Sequence, residues 1–148
     1  MSPDGEETLD VEGAIECLNK ALRLQYRSAL GYTLAAGGMY GFEYQGFSSQ
    51  LADFGRSEID DTRRLVEKIT TFEGAPTTEV APLDWSDQPE KVVEWLIAAE
   101  EETIEALQAA IEPTGREGVS EALEHLLEHL ILRKQNQVDF LIRASRRP

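Results

Sequence analysis

The stretch RSEIDDTRRLVEKITTFEGAP, residues 56–76, decides how this chain is read. Leu65, Ile69 and Phe72 recur at helical spacing, and Leu51 and Phe54 carry the same stripe upstream. Gly74 and Pro76 stop the helix, which predicts a span from about Ser48 to Glu73. In the middle of the stripe, where the period demands apolar side chains, stand Glu58 and Asp61. Burying unpaired charge is costly, so other parts of the chain must supply partners for them.

Three more segments have helical periodicity. The first runs from about Asp10 to Gly37, with Ile15, Leu18, Leu22, Ala29, Tyr32 and Ala36 on one stripe. The glycine-rich GGMYGFEYQG, residues 37–46, ends it. The third helix starts near SDQPE, residues 86–90, where Asp87 and Glu90 have capping-box spacing. Its stripe is Val93, Leu96, Ile97, Ile104, Leu107 and Ile111. The fourth starts at TGRE, residues 114–117, another box candidate, and carries Leu123, Leu126, Leu127, Leu130 and Leu141. Nothing reads as a strand, so the expected fold is an all-α four-helix bundle.

The connections set the topology. Helices one and two, and helices three and four, are joined by short links and form antiparallel pairs. The link from Gly74 to Ser86 is about a dozen residues, kept extended by Pro76 and Pro82, and reaches about 40 Å. A helix of about 26 residues is about 39 Å long. The link can therefore run the length of the bundle and set helices two and three parallel.

Composition limits what such a bundle does. The chain has 148 residues, 41% of them apolar, which suits one globular domain over residues 10–148 behind a disordered segment, 1–9. Its 28 acidic and 14 basic residues give a formal charge of −14, which repels phosphate backbones and argues against a nucleic-acid partner. No run approaches the roughly 20 apolar residues that cross a bilayer. The acidic MSPDGEETLD start lacks an apolar signal core, so a cytoplasmic protein without a membrane partner is expected. Cys17 is the sole cysteine, which excludes an intrachain disulfide and a thiolate metal cluster.

Every stripe has polar residues where apolar ones belong. Gln25 is on the first helix, Glu58 and Asp61 on the second, Glu100 on the third, and Lys134 and Gln137 on the fourth. The six should face one another. One, two, one, two over four helices is also the ligand plan of di-iron carboxylate bundles, in which two helices give one Glu each and two give Glu-x-x-His.

Here the sequence resembles a known family. LNKALRLQYRSALGY (18–32) and EIDDTRRLVEKITTFEGAPT (58–77) resemble the first two helices of bacterioferritin. QVDFLIRA (137–144) is similar to the segment that begins at that family's last histidine ligand, and EETIEALQAAI (101–111) sets the third-helix register. The resemblance implies a ferritin-like four-helix bundle with one long crossover between helices two and three. Carried over by position, the first-helix glutamate falls on Gln25, the second-helix pair on Glu58 and Asp61, the third-helix glutamate on Glu100, and the last Glu-x-x-His on Lys134 and Gln137. The haem methionine falls on Ile59, so no haem is expected at the usual bacterioferritin position. Tyr32 matches a tyrosine near the family's site.

Three of these changes weaken iron binding. Gln25 is a weaker oxygen ligand, Lys134 brings an ammonium that repels a cation, and Gln137 lacks an imidazole. The expectation is a largely lost di-iron ferroxidase site and a non-catalytic binding or scaffold module with a polar core and no metal. In that core Lys134 would pair with Glu58 and Glu100, and a shared proton or an arginine reaching in would balance the remaining charge. Glu58, Asp61 and Glu100, helped by Gln25 and Gln137, stay open as ligands for one divalent ion (Fe, Mn or Zn) in an iron-binding or ferroxidase protein. A metal-free core that is chemically active through Tyr32 is a third reading.

Other features read more plainly. His125 and His129 share a helix face opposite the leucine stripe and should be exposed. Trp85 and Trp95 should cover the bundle or an interface. Tyr26, Leu30 and Leu34 on helix one, with Ile59 and Val66 on helix two, form a second apolar edge, and ferritin-like proteins pair subunits through these helices. A two-fold homodimer is therefore expected. The chain ends soon after helix four without the extra C-terminal helix of bacterioferritin-like cages, which argues against a 24-subunit assembly. The arginines of IRASRRP, residues 142–148, complement the last helix dipole.

Overall fold

The structure, a computed structural model, describes residues 9–112 and 118–146. Its order is α1 (Val11–Gly38), a short 3-10 turn (Phe42–Tyr44), α2 (Gln45–Thr71), α3 (Pro89–Ile111) and α4 (Gly118–Ser145). No described residue is in a strand. Asp10 caps α1 by accepting the Gly13 N–H at 3.1 Å. Leu9, at the edge of the N-terminal segment, is buried in the core rather than free. The TGRE capping box lies outside the described residues.

Two helix ends differ from the sequence reading. At α3 the N-cap is Gln88, with no side-chain cap, so the Asp87–Glu90 box does not form. Pro89 is the reason. A proline suits the first helical position and holds the residue before it extended, which puts the cap at Gln88. Ser86 Oγ accepts the Gln88 N–H at 3.1 Å. At the end of α2 the left-handed residue is Glu73, with φ 64°, not Gly74. The Glu73 N–H donates to Thr70 O at 2.9 Å and the Gly74 N–H to Ile69 O at 2.9 Å, the two bonds of a Schellman motif. Gly74 serves another purpose, because a Cβ there would lie 2.8 Å from the Ile15 side chain.

The crossover runs beside α1 for most of its length. Asn19 Nδ2 donates to Ala75 O at 3.0 Å, and the Thr77 N–H donates back to Asn19 Oδ1 at 2.8 Å. Further along, the Tyr26 hydroxyl donates to Thr77 O at 2.9 Å and the Ala81 N–H to Arg23 O at 3.2 Å. Near the far end of α1 the Trp85 indole lies over Gly38. The chain thus returns to the end of the bundle where α2 began, and α3 runs parallel to α2.

The core is two apolar clusters. One holds Leu18, Leu22, Leu65, Ile69, Leu107 and Leu127, and the other Tyr32, Leu51, Val93, Leu96 and Leu141. The polar residues of all four stripes fall between them. No helix among the described residues is long and apolar enough to cross a membrane.

Candidate functional site

Each helix delivers its polar residues to the middle of the bundle because they replace apolar side chains on the inward face. Gln25, Glu58, Asp61 and Lys134 are fully buried, with Glu100 1% and Gln137 2% exposed. Five of them, with Tyr32, make one network. Lys134 Nζ donates to Glu58 Oε2 at 2.8 Å and to Glu100 Oε1 at 3.0 Å. One turn along α4, Gln137 Nε2 donates to Glu58 Oε1 at 2.7 Å and to Glu100 Oε2 at 2.8 Å. The two carboxylates are therefore bridged twice, once by an ammonium and once by an amide, in a closed ring that engages all four carboxylate oxygens.

Outer donors complete the ring. The Tyr32 hydroxyl donates to Glu100 Oε2 at 3.1 Å, and its ring packs edge-on to Phe54 with centroids 5.6 Å apart. Gln25 Nε2 donates to the Glu58 backbone oxygen at 3.1 Å and also contacts Glu58 Oε2. Ser28 Oγ donates to Glu100 Oε1 at 2.8 Å, and Thr103 Oγ1 lies 3.5 Å from Ser28 Oγ. Sequence reasoning missed Ser28 and Thr103. The signal was there, since each stands three residues after a network member, Gln25 or Glu100, on the same helix face.

Asp61 departs from the expected cluster. Neither carboxylate oxygen has a hydrogen-bond partner among the described residues. Its ion partner is Arg133, which reaches in from a 30% exposed position to 3.5 Å. Gln25 Oε1 is likewise buried without a partner.

The electrostatics follow from burial against pairing. Burial pulls the Lys134 ammonium toward neutrality, but Glu100 and Glu58 outweigh it and hold its pKa above the ordinary lysine value. The lysine is therefore charged. Burial raises the Glu100 pKa, opposed by Lys134 and reinforced by Glu58. Burial also raises that of Asp61, opposed by Arg133. Burial, with Glu100 and Glu58, pushes the Tyr32 phenol well above its usual range, so it stays a neutral donor.

His125 and His129 are exposed on α4, and no group of three or more His, Cys, Asp or Glu among the described residues has a metal-binding arrangement. Ile59 is 59% exposed. Cys17 is a free thiol, partly buried against the core.

Comparison with solved structures places this bundle among known ones. A ferritin-like, diiron-carboxylate protein from Bacillus anthracis is 26% identical, with TM-score 0.85, over 99% of this chain and 100% of that one. Rhodobacter capsulatus bacterioferritin, solved with a metal-free dinuclear site and haem iron, is 21% identical, with TM-score 0.82, over 93% and 86%. A dodecameric thioferritin from Bacteroides fragilis, described as bacterioferritin-related, is 16% identical, with TM-score 0.81, over 92% and 86%. The last two show the fold alone. No curated protein matches the sequence. The family model described as a ferritin-like domain matches residues 15–143, so the chain belongs to the ferritin-like domain family.

Proposed function

We propose that this chain is a metal-independent member of its family, a non-catalytic binding or scaffold module whose former ligand positions have become a self-satisfied polar core. The observation that carries this is Lys134 Nζ, fully buried between Glu58 and Glu100. The residues do not fit a di-iron centre. An ammonium and an amide each sit between the two carboxylates, where a cation bridged by both would have to go. No imidazole is in the cluster, and the four carboxylate oxygens are already engaged. No haem is proposed, since Ile59 cannot act as an axial ligand.

A cytoplasmic two-fold homodimer is part of this reading. Leu30, Leu34 and Ile59 are 44%, 41% and 59% exposed, an apolar edge that a second copy would cover. A 24-subunit cage is not proposed.

A second reading rests on Asp61 and Gln25 Oε1, buried oxygens without hydrogen bonds. Oxygens of this kind favour a single divalent ion held by Glu58, Asp61 and Glu100 with amide help. The two readings part in an aerobic Fe(II) oxidation assay. A metal-independent module does not accelerate oxidation over the buffer blank. Acceleration that disappears in Glu58→Ala would restore a ferroxidase.

A further inference from the structure

The segment that joins α1 to α2 and opens α2 is rich in aromatic residues. Four of the chain's nine phenylalanines and tyrosines, Tyr40, Phe42, Tyr44 and Phe47, fall within residues 40–47. Tyr40 is 88% and Phe42 95% exposed, although both flanks of the turn are held in place. The Tyr44 N–H donates to Gly41 O at 3.1 Å, and Ser48 Oγ donates to Ala36 O at 2.6 Å. The Phe47 ring stacks on Phe140 with centroids 5.7 Å apart, and Met39 is buried. Gly41, at φ 108°, turns the chain between the two exposed rings in a conformation that suits glycine. A phenylalanine left in water forgoes the burial its ring would otherwise contribute, and aromatic side chains are the characteristic anchors of protein interfaces.

Glu43, Tyr44 and Phe47 of this segment form one wall of a cleft of about 710 Å³ at the end of the bundle. Pro89 and the buried Val93 bring the start of α3 to it, and residues 144–146 bring the end of α4. Its charge is one-sided. Three carboxylates line it, those of Glu43, Glu90 and Glu94, and none is in an ion pair among the described residues. Arg146 is the single basic residue on the cleft, and it pairs with none of them. Glu90 stands in the first turn of α3, where it suits the helix dipole, but Glu94 lies beyond that turn. Aromatic faces beside unpaired carboxylates are complementary to lysine and arginine, whose stems lie over rings while their charged heads meet the acids.

We propose that this end of the bundle docks a basic segment of a partner protein. Its lysines or arginines sit on Glu43, Glu90 and Glu94, and an apolar anchor packs against Phe42 and Tyr44. Neither the core network nor the edge of Leu30, Leu34 and Ile59 lines the cleft, so the proposal stands apart from both.

The test is fluorescence anisotropy of two rhodamine-labelled peptides, acetyl-KLWKKL-amide and acetyl-ELWEEL-amide, titrated with the full chain. The basic peptide should saturate with a Kd below about 1 mM and weaken with added salt, and the acidic one should bind at least about tenfold more weakly. Phe42→Ala, at an exposed position that spares the fold, should weaken the basic peptide at least about fivefold with helical circular dichroism intact. The combined change Glu43→Gln, Glu90→Gln and Glu94→Gln should weaken it at least about tenfold. Removing the same charge from α4, by Glu121→Gln, Glu124→Gln and Glu128→Gln, should weaken it less than about twofold. No saturable binding, equal binding of the acidic peptide, or equal losses in the two triple variants would overturn the proposal, the last by showing attraction to the acidic chain as a whole. So would a sedimentation mass that rises with protein concentration and falls in Phe42→Ala, because the face would then be a contact between copies. Binding to phosphatidylcholine vesicles that is lost in Phe42→Ala would overturn it in favour of a lipid surface.

Discussion

Lys134 on α4 places its ammonium 2.8 Å from Glu58 on α2 and 3.0 Å from Glu100 on α3, so one side chain ties three of the four helices together at full burial. Its replacement is the first prediction. Lys134→Ala leaves two buried carboxylates facing each other without a counter-charge. Breaking a buried pair in this way costs about 3–5 kcal/mol. At 148 residues that is a fall in Tm of roughly 10 °C, read by circular dichroism. A fall of under about 2 °C would mean that the ammonium is not what balances the core.

Asp61 gives a pH dependence with a definite sign. Its folded pKa is raised above the ordinary 3.8 by burial, so the folded state holds the proton more tightly than the unfolded chain. Stability from this group is therefore lost as pH rises from 3.8 through the folded value, and Glu100 acts in the same direction. Asp61→Asn removes the penalty. It should stabilise by about 1 kcal/mol at about pH 8, with the gain shrinking as pH falls toward 4 and the wild-type carboxyl takes up its proton. Denaturant melts at both pH values decide it. Destabilisation at pH 8 would show that the Arg133 pair outweighs burial.

Glu73 holds a left-handed backbone at φ 64°, a conformation that costs an L-residue about 1 kcal/mol more than glycine. Glu73→Gly should stabilise by about 0.5–1 kcal/mol in urea denaturation. Gly74→Ala, one residue on, should destabilise, because its Cβ would meet Ile15. The opposite order would move the helix end by one residue.

The ligand plan is reversible by design. Gln25→Glu, Asp61→His, Lys134→Glu and Gln137→His together restore one Glu on each of two helices and Glu-x-x-His on each of the others. This fourfold variant should bind about two Fe(II) per chain after anaerobic loading, with a matching rise in Tm. No binding would mean that the six positions are not the inherited site.

The topology was legible because a crossover of fixed reach had to match helices of known length, and nothing else in the chain needed that link. The polar core was legible because Gln25, Glu58, Asp61, Glu100, Lys134 and Gln137 break otherwise apolar stripes. What hid were residues that break no stripe. Arg133 stands off the inward face and reaches Asp61 only through its long side chain. Ser28 and Thr103 are small enough to read as ordinary helix positions. At the start of α3, Asp87 and Glu90 had the spacing of a box, but Pro89 fixed the cap one residue later. Glu73 hid behind Gly74, the residue that normally takes the left-handed position.

The most direct test of a lysine-filled core is elemental analysis after anaerobic Fe(II) loading and desalting, with Mn and Zn in parallel. A core already satisfied by Lys134 and Gln137 should retain less than about a tenth of an equivalent of any of the three per chain. About one equivalent, lost in Glu58→Ala or Glu100→Ala, or about two equivalents of iron, would contradict it.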